Sequence, residues 1–322
     1  MTRSAPFLLA IIGVTLAWLF TYMGNDDVIN VQLNASYDYI IVGAGSAGAV
    51  IASRLSEDSK VSVLLLEAGE SEYGNDNIRV PQKSGATQQS SVDWNFYTEP
   101  QMYSHYAMND MRSYWPRGRV LGGSSSINTM VYVRGNRHDF NQWADEGCKG
   151  WSYKDVLPYF IKTEDYKMKN QYDATYHNTG GYMKLTDSIL TPLVEIYRKA
   201  AESIGYKTID VNGEEQIGFS YVQSSVSNGE RCSTASCYLR PVITRPNLHV
   251  SVQSFVTKIV IKDKVAVGVE MIKDNKKIKI LSNKEVIISA GAVGSPVLLM
   301  LSGVGPSEHL QQLKVYLVPI LF

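Results

Sequence analysis

The sequence is poor in cysteine and histidine and carries no excess of either charge. Among 322 residues there are three cysteines and five histidines, and 31 basic residues stand against 31 acidic ones. No long block of one sign occurs, which excludes the basic face or arm that nucleic-acid binders use. Cys148, Cys232 and Cys237 form no C-x-x-C pair and no Cys/His group at zinc spacing, so a structural metal is not expected. Cys232 and Cys237 are close enough for a bridge, which spacing alone does not establish. The odd count leaves at least one thiol unpaired within a monomer. Internal repeats and low-complexity tracts are absent. What is abundant is tyrosine, with 20 copies, in a chain long enough for one large domain or two.

One long apolar run exists, Phe7 to Met23 (FLLAIIGVTLAWLFTYM), behind a single Arg3. It is at the short edge of what spans a bilayer, and no clear small-x-small cleavage site follows. Residues 1–24 are therefore read as a signal peptide or a signal anchor. The expected location is the secretory pathway and the extracellular space, with a membrane tether through residues 7–23 as the alternative. Residues 25–36 form a polar tether ending in the glycosylation sequon Asn34-Ala35-Ser36.

Everything else is arranged around Tyr37 to Gly69 (YDYIIVGAGSAGAVIASRLSEDSKVSVLLLEAG). An apolar run, Tyr37 to Val42, suits a buried parallel strand. Gly43, Gly45 and Gly48 follow in the spacing G-x-G-x-x-G, then a helix of small residues from about Ser46 to Ser56. A second apolar run, Val61 to Leu66, ends in Glu67. Strand, glycine turn, helix, strand and acid together make a dinucleotide-binding βαβ unit. The glycines let the backbone approach a pyrophosphate, whose charge rests on the N–H groups opening the helix, including those of Ser46 and Ala47. Glu67 follows Gly48 by about twenty residues, where a carboxylate can accept hydrogen bonds from a ribose 2′-OH.

A second glycine loop lies at Trp115 to Asn141 (WPRGRVLGGSSSINTMVYVRGNRHDFN), where Gly122, Gly123 and Ser124 to Ser126 precede an expected apolar helix. It is either a further anion-contact site or a plain helix cap. The stretch Glu70 to Met111 is irregular and either lines a site or crosses the surface. Beyond Gly150, helical stripes at Ser152 to Lys162 and Thr191 to Ile204 read as core faces. His177 and His249 have no partner acid nearby in sequence and read as structural or surface residues. From Leu248 the chain turns to short β-branched runs, 248–252, 255–261, 265–271 and 277–281, read as an antiparallel meander. Glu285 to Ala290 reads as a further buried strand, and Gly291 to Ser302 as a helix.

GRVLGGSSSIN followed by YVRG resembles the first signature of the glucose–methanol–choline (GMC) family of FAD oxidoreductases, nearest its insect glucose-dehydrogenase branch. The Tyr37–Gly69 unit, GWSYKDVLPYF, GERCSTASCYL and SAGAVGSPVLLMLSGVGP are also similar to that branch, so the resemblance covers about residues 37–313. It implies an α/β fold: a Rossmann-like FAD-binding domain with a β-meander, plus part of an α+β cap or substrate domain. The FAD domain would take residues 37–149 and 248–313, the cap 150–247, with 314–322 an apolar tail. The cofactor residues implied are Gly43, Gly45, Ser46, Ala47, Gly48, Glu67, Ala68, Arg119, Gly122, Gly123, Ser124, Asn128, Thr129, Met130, Val131, Val256, Ala290 and Gly291. In the family Asn128 approaches the reactive part of the flavin, and Val256 the adenine. Some members attach FAD through a His just before that Asn. Here it is Ile127, so FAD is expected to be non-covalent.

The resemblance implies oxidation of CH–OH groups in sugars or other alcohols, with electrons passed to a quinone or to oxygen. The His that takes the alcohol proton lies in a part of the family pattern beyond Phe322, so no catalytic residue is assigned. The apolar VYLVPILF end suggests a truncated or alternatively spliced product or an incomplete gene model. A catalytically inactive FAD-binding or interaction protein is the alternative function, and an NAD-dependent dehydrogenase is a third that the two signatures disfavour.

Overall fold

The computed structural model describes Ile29 and residues 32–167, 173–187 and 191–318. The apolar segment Phe7–Met23 lies outside the described residues. In chain order the strands are β1 (Ser36–Val42), β2 (Val63–Leu66), β3 (Phe96–Tyr97), β4 (Tyr114–Trp115), β5 (Glu164–Tyr166), β6 (Met183–Asp187), β7 (Gln223–Ser224), β8 (Val226–Ser227), β9 (Glu230–Arg231), β10 (Leu248–Ser251), β11 (Phe255–Lys262), β12 (Val265–Lys273) and β13 (Lys276–Ile288). Two compact bodies result. The first takes in the described residues up to Ser71, Arg119–Gly123 and the chain from Leu239 onward; the second takes Glu72–Gly118 and Ser124–Tyr238.

The first body is built on a six-stranded sheet in the order β10-β2-β1-β13-β12-β11. Its parallel part is buried, which is why β2 reads Val-Leu-Leu-Leu without a polar break. The helix Ser46–Leu55 lies on this part through Gly48, Ala49, Ala52 and Ser53, residues small enough for close helix–strand contact. Tyr37, Ile40, Val42, Leu64 and Leu66 pack with Ile259, Val269, Met271, Ile280 and Leu298 into the core, each large aliphatic contributing about 1.5–3 kcal/mol by burial.

Two expectations change here. The runs 277–281 and Glu285–Ile288 are not separate strands but lie in one, β13, which ends at Ile288, short of the expected Ala290. It pairs antiparallel with β12 up to Leu281 and parallel with β1 from Leu281 to Ile288. Ser282-Asn283-Lys284 contains no chain breaker, and Ser282 Oγ donates to the carbonyl of Asp38 at 3.1 Å, keeping the strand beside β1. Leu248–Ser251 does not belong to the meander. It pairs parallel with β2, held there by the Asn247 carboxamide, whose Nδ2 lies 3.2 Å from the carbonyl of Ser56 and 3.0 Å from those of Asp58 and Val61.

In the second body, the helices Arg137–Asp145 and Tyr153–Thr163 each begin with a capping box, Asn136 with Asp139 and Ser152 with Asp155. They meet through Phe140, whose ring centroid is 5.7 Å from that of Phe160 and 6.2 Å from that of Tyr153. A small sheet, β5-β6-β7, follows. The irregular 72–118 stretch is organised by Asp93, which accepts the Tyr114 hydroxyl and the N–H groups of Gln89, Asn95 and Arg117. Cys232 and Cys237 are bridged, and Cys148 is free and exposed.

Two further expectations fail in this body. No apolar helix follows the second glycine loop, only a 3₁₀ turn, Gly123–Ser126. Asn128 Oδ1 accepts the N–H of Met130, Met130 takes φ +63°, and Val131 then bridges to Ser224 in extended form. The stripe on the Pro192–Ser203 helix is not a core face either: Leu193 is 55% exposed, Ile196 62% and Tyr197 62%. Its period marks a face that favours cover, which the described residues do not supply. Among the described residues no helix is long and apolar enough to cross a membrane.

Candidate functional site

In the first body, three chain segments converge at the carboxyl end of β1. The first is the fingerprint itself. Gly43 takes φ +97°, and a side chain on it would meet the carbonyl oxygen of Ser289 at 2.5 Å. A Cβ on Gly48 would lie 1.9 Å from the Gly43 carbonyl oxygen. Gly45 differs: a Cβ there would meet nothing nearer than Gly123 Cα at 3.8 Å, and its backbone is extended (φ −73°, ψ −163°). The fold therefore requires Gly43 and Gly48, and leaves open space at Gly45. Ser46 and Ala47 are exposed and open the Ser46–Leu55 helix, where the first N–H groups have no intrahelical acceptor. No acidic side chain occupies that first turn. This is the cradle an anionic diphosphate needs.

The second segment is Arg119–Gly123. Gly122 N–H donates to the Ala44 carbonyl at 2.8 Å, and a Cβ on Gly123 would lie 2.6 Å from Gly45 Cα. The third is Ser289–Gly291, which closes the loop from the other side. Ser289 N–H donates to the Val42 carbonyl at 2.8 Å, and its hydroxyl donates to the Gly43 carbonyl at 2.7 Å. Ala290 then caps a second helix, Gly291–Leu301, that also lacks an acid in its first turn. In the sequence Ser289 carries no signal beyond its place before Ala-Gly-Ala.

Glu67 stands at the end of β2 beside this cradle. Its two carboxylate oxygens accept the N–H groups of Ala44 and Gly69, each at 2.9 Å. Burial pushes its carboxyl up to about 7, against these hydrogen bonds and the attraction of Arg119. Ala68 follows it, half-buried, and a Cβ on Gly69 would lie 1.9 Å from the Arg119 carbonyl oxygen, so the 67–69 and 119–120 segments touch. Val256 lies on β11, packed against the sheet core; the segment just before it is tied to the Glu67 turn by Ser254 N–H, which donates to the Glu67 carbonyl at 2.8 Å.

The remaining candidates belong to the second body. Ser124 Oγ accepts the N–H of Gly118 at 3.2 Å, and Asn128 N–H donates to the Ser124 carbonyl at 2.9 Å. Asn128 and Thr129 are exposed, Ile127 and Met130 are buried, and Val131 is exposed. Arg231, in the GERCSTASCYL run, also proves central. It is buried, its Nη1 donates to Asn128 Oδ1 at 2.8 Å, and burial lowers its guanidinium to about 10.

Neither singled-out histidine is isolated in space. Buried His177 lies between Glu164 and Asp210, while His249 Nδ1 is 2.7 Å from the Tyr37 hydroxyl. Both are structural. Among the described residues no group of three or more His, Cys, Asp and Glu side chains could hold a metal.

The sheet, the glycine fingerprint and the two flanking loops define a dinucleotide-binding α/β protein. A family model described as GMC oxidoreductase matches residues 37–318. The chain belongs to the GMC oxidoreductase family. It is 44% identical over 285 residues to glucose dehydrogenase (FAD, quinone) of Drosophila pseudoobscura pseudoobscura, covering 87% of this chain and 45% of that protein. It is 42% identical over 294 residues to mitochondrial choline dehydrogenase of Mus musculus, covering 88% and 48%. Among solved structures it is similar to pyridoxine 4-oxidase from Mesorbium loti, with a TM-score of 0.81, 32% identity, and coverage of 88% of this chain and 55% of that one. The chain thus spans about half the length of the curated relatives it matches.

Proposed function

We propose that this chain binds FAD non-covalently and forms the cofactor-holding part of an oxidoreductase acting on CH–OH groups of sugars or other alcohols. What carries this proposal is the open space at Gly45 inside a loop where the fold itself demands Gly43 and Gly48. In it, Ser46, Ala47 and Gly48 would receive the diphosphate, and Glu67 with Ala68 the ribose. Arg119 would supply the nearby positive charge, and Val256 would lie toward the adenine. Gly122, Gly123, Ala290 and Gly291 would shape the loops, and Ser124, Asn128, Thr129, Met130 and Val131 would be offered to the flavin. FAD supplies hydride acceptance, with a quinone or oxygen as the later acceptor. Ile127, where some relatives have the attaching His, is apolar and buried, which supports non-covalent binding.

The second function, an FAD-binding protein without turnover, is favoured by one observation. His177 and His249 are both engaged in structural contacts, so neither is offered as a base. A visible spectrum of the full purified chain, with a dye-linked sugar assay, separates the two. A flavin spectrum with dye reduction supports the enzyme; a flavin spectrum without it supports the binder; no flavin spectrum defeats both.

For location, we propose entry into the secretory pathway, with membrane retention through residues 7–23 as the alternative. The Cys232–Cys237 bridge fits an oxidising compartment, and exposed Asn34 fits a lumenal sequon. A glycosidase-sensitive mobility shift, absent in Asn34→Gln, is the expected result.

A further inference from the structure

Arg231 is a buried cation with no carboxylate partner among the described residues. Nε donates to the carbonyl of Ile78 at 2.8 Å, and Nη1 donates to the carbonyl of Ser125 at 3.1 Å and to Asn128 Oδ1 at 2.8 Å. Nη2 has no acceptor among the described residues. An isolated buried charge is costly, so its placement calls for a compensating role.

Its effect falls on Asn128. The Asn128 Oδ1 atom accepts from Arg231 Nη1 and also from the N–H of Met130, at 3.1 Å. Both partners are donors only, so the oxygen and nitrogen of this carboxamide cannot be exchanged without placing donor against donor. The orientation is fixed chemically. Oδ1 is turned inward and fully used, and Nδ2 is the polar atom that remains on an exposed side chain. A cation on the carbonyl end also polarises the amide, making its N–H groups stronger donors.

We propose that Arg231 is a positioning residue that locks Asn128 so that it presents Nδ2 as a hydrogen-bond donor to an acceptor atom of the bound flavin ring. This inference rests on the FAD proposal above. It differs from a purely structural role for Arg231 in one respect: the flavin itself must sense the arginine through the asparagine.

The test uses the full chain and FAD, with Asn128→Ala, Arg231→Met, Arg231→Lys and the Asn128→Ala/Arg231→Met double variant. The readouts are the absorption envelope of the bound flavin and FAD affinity by titration. Arg231→Met is expected to shift the flavin bands in the same direction as Asn128→Ala and to weaken FAD about tenfold. The double variant is expected to be no worse than the more severe single one, because both act through one hydrogen bond. Arg231→Lys, which keeps the charge and a donor, should recover most of the wild-type spectrum; Arg231→Gln, which removes the charge but leaves a polar group in the buried site, replaces Arg231→Met if that variant does not fold. Wild-type bands and affinity in Arg231→Met (or in Arg231→Gln where it is the substitute), or additive losses in the double variant, would overturn the proposal. A wild-type chain that takes up no yellow colour defeats the FAD proposal and this one with it; a yellow wild type with silent arginine variants defeats this one alone.

Discussion

His177 Nδ1 lies 2.9 Å from Glu164 Oε2, and His177 Nε2 lies 2.6 Å from Asp210 Oδ2. With both acids ionised, each carboxylate oxygen accepts and each ring nitrogen donates, which is the arrangement an imidazolium satisfies. Arg134 pairs with the same Glu164, so two cations and two anions balance within the second body. Burial alone would lower the His177 pKa; the hydrogen bonds and charges of Asp210 and Glu164 outweigh it and hold the ring above its ordinary 6.5.

Stability from this group is complete below pH 6.5 and is lost as pH rises through the raised value. His177→Phe should therefore cost about 3–5 kcal/mol at pH 6, because it leaves buried carboxylates uncompensated. The loss should shrink at high pH. Urea unfolding of wild type and variant at pH 6 and pH 10 checks this; an equal loss at both would rule out the imidazolium.

Glu67 gives a dependence in a lower window. Its folded pKa, raised to about 7 from 4.5, makes the carboxyl's stabilising contribution full below pH 4.5 and lost as pH rises through 7. At 1.36 kcal/mol per pKa unit the change is on the order of 3 kcal/mol. Glu67→Gln should flatten the wild-type loss between pH 5 and pH 8 in denaturant titrations without FAD.

Gly45 and Gly48 separate the needs of the ligand from those of the fold. Gly45→Ala should leave the thermal midpoint of the apoprotein nearly unchanged yet weaken FAD about tenfold or more. Gly48→Ala forces a methyl group onto the Gly43 carbonyl and should destabilise the apoprotein by about 2 kcal/mol. Calorimetry and FAD titration of both variants make the comparison. Equal destabilisation by the two would show that Gly45 also serves the fold.

The Cys232–Cys237 bridge closes a short loop, with a sequence separation of 5. Chain-entropy reasoning gives it about 2 kcal/mol. Reduction, or Cys232→Ser, should lower stability by that amount, read as a shift in the urea midpoint with and without reductant.

The parts of this molecule legible in sequence are those whose physics is local. Tyr37–Gly69 shows its strand run, glycine spacing and helix face within one window, and the structure keeps all three. Glu67 was visible as the acid ending β2, but its two N–H partners and its burial were not. His177 looked partnerless because its acids lie 13 and 33 positions away. Arg231 meets Asn128 across 103 positions, and no spacing rule reaches that far. The Leu193–Tyr197 stripe failed for another reason: periodicity reports a face, and only tertiary structure decides whether anything covers it. The helix expected after Ser126 failed to a local bond, the Asn128 carboxamide taking the Met130 N–H that a helix would have used.

The splice in β13 bears on how the protein is made. Ser289 closes over Val42 and Gly43 from 247 and 246 positions downstream. A ribosome therefore releases the fingerprint glycines long before their closing partner exists, and the second body emerges in between. Loop closure over such a span is slow, and the exposed β1 edge waits unpaired meanwhile. Synthesis of this cradle is thus a matter of timing: it is begun first and finished last, and early folding of the insert would shorten the interval in which its first strand lacks the closing partner.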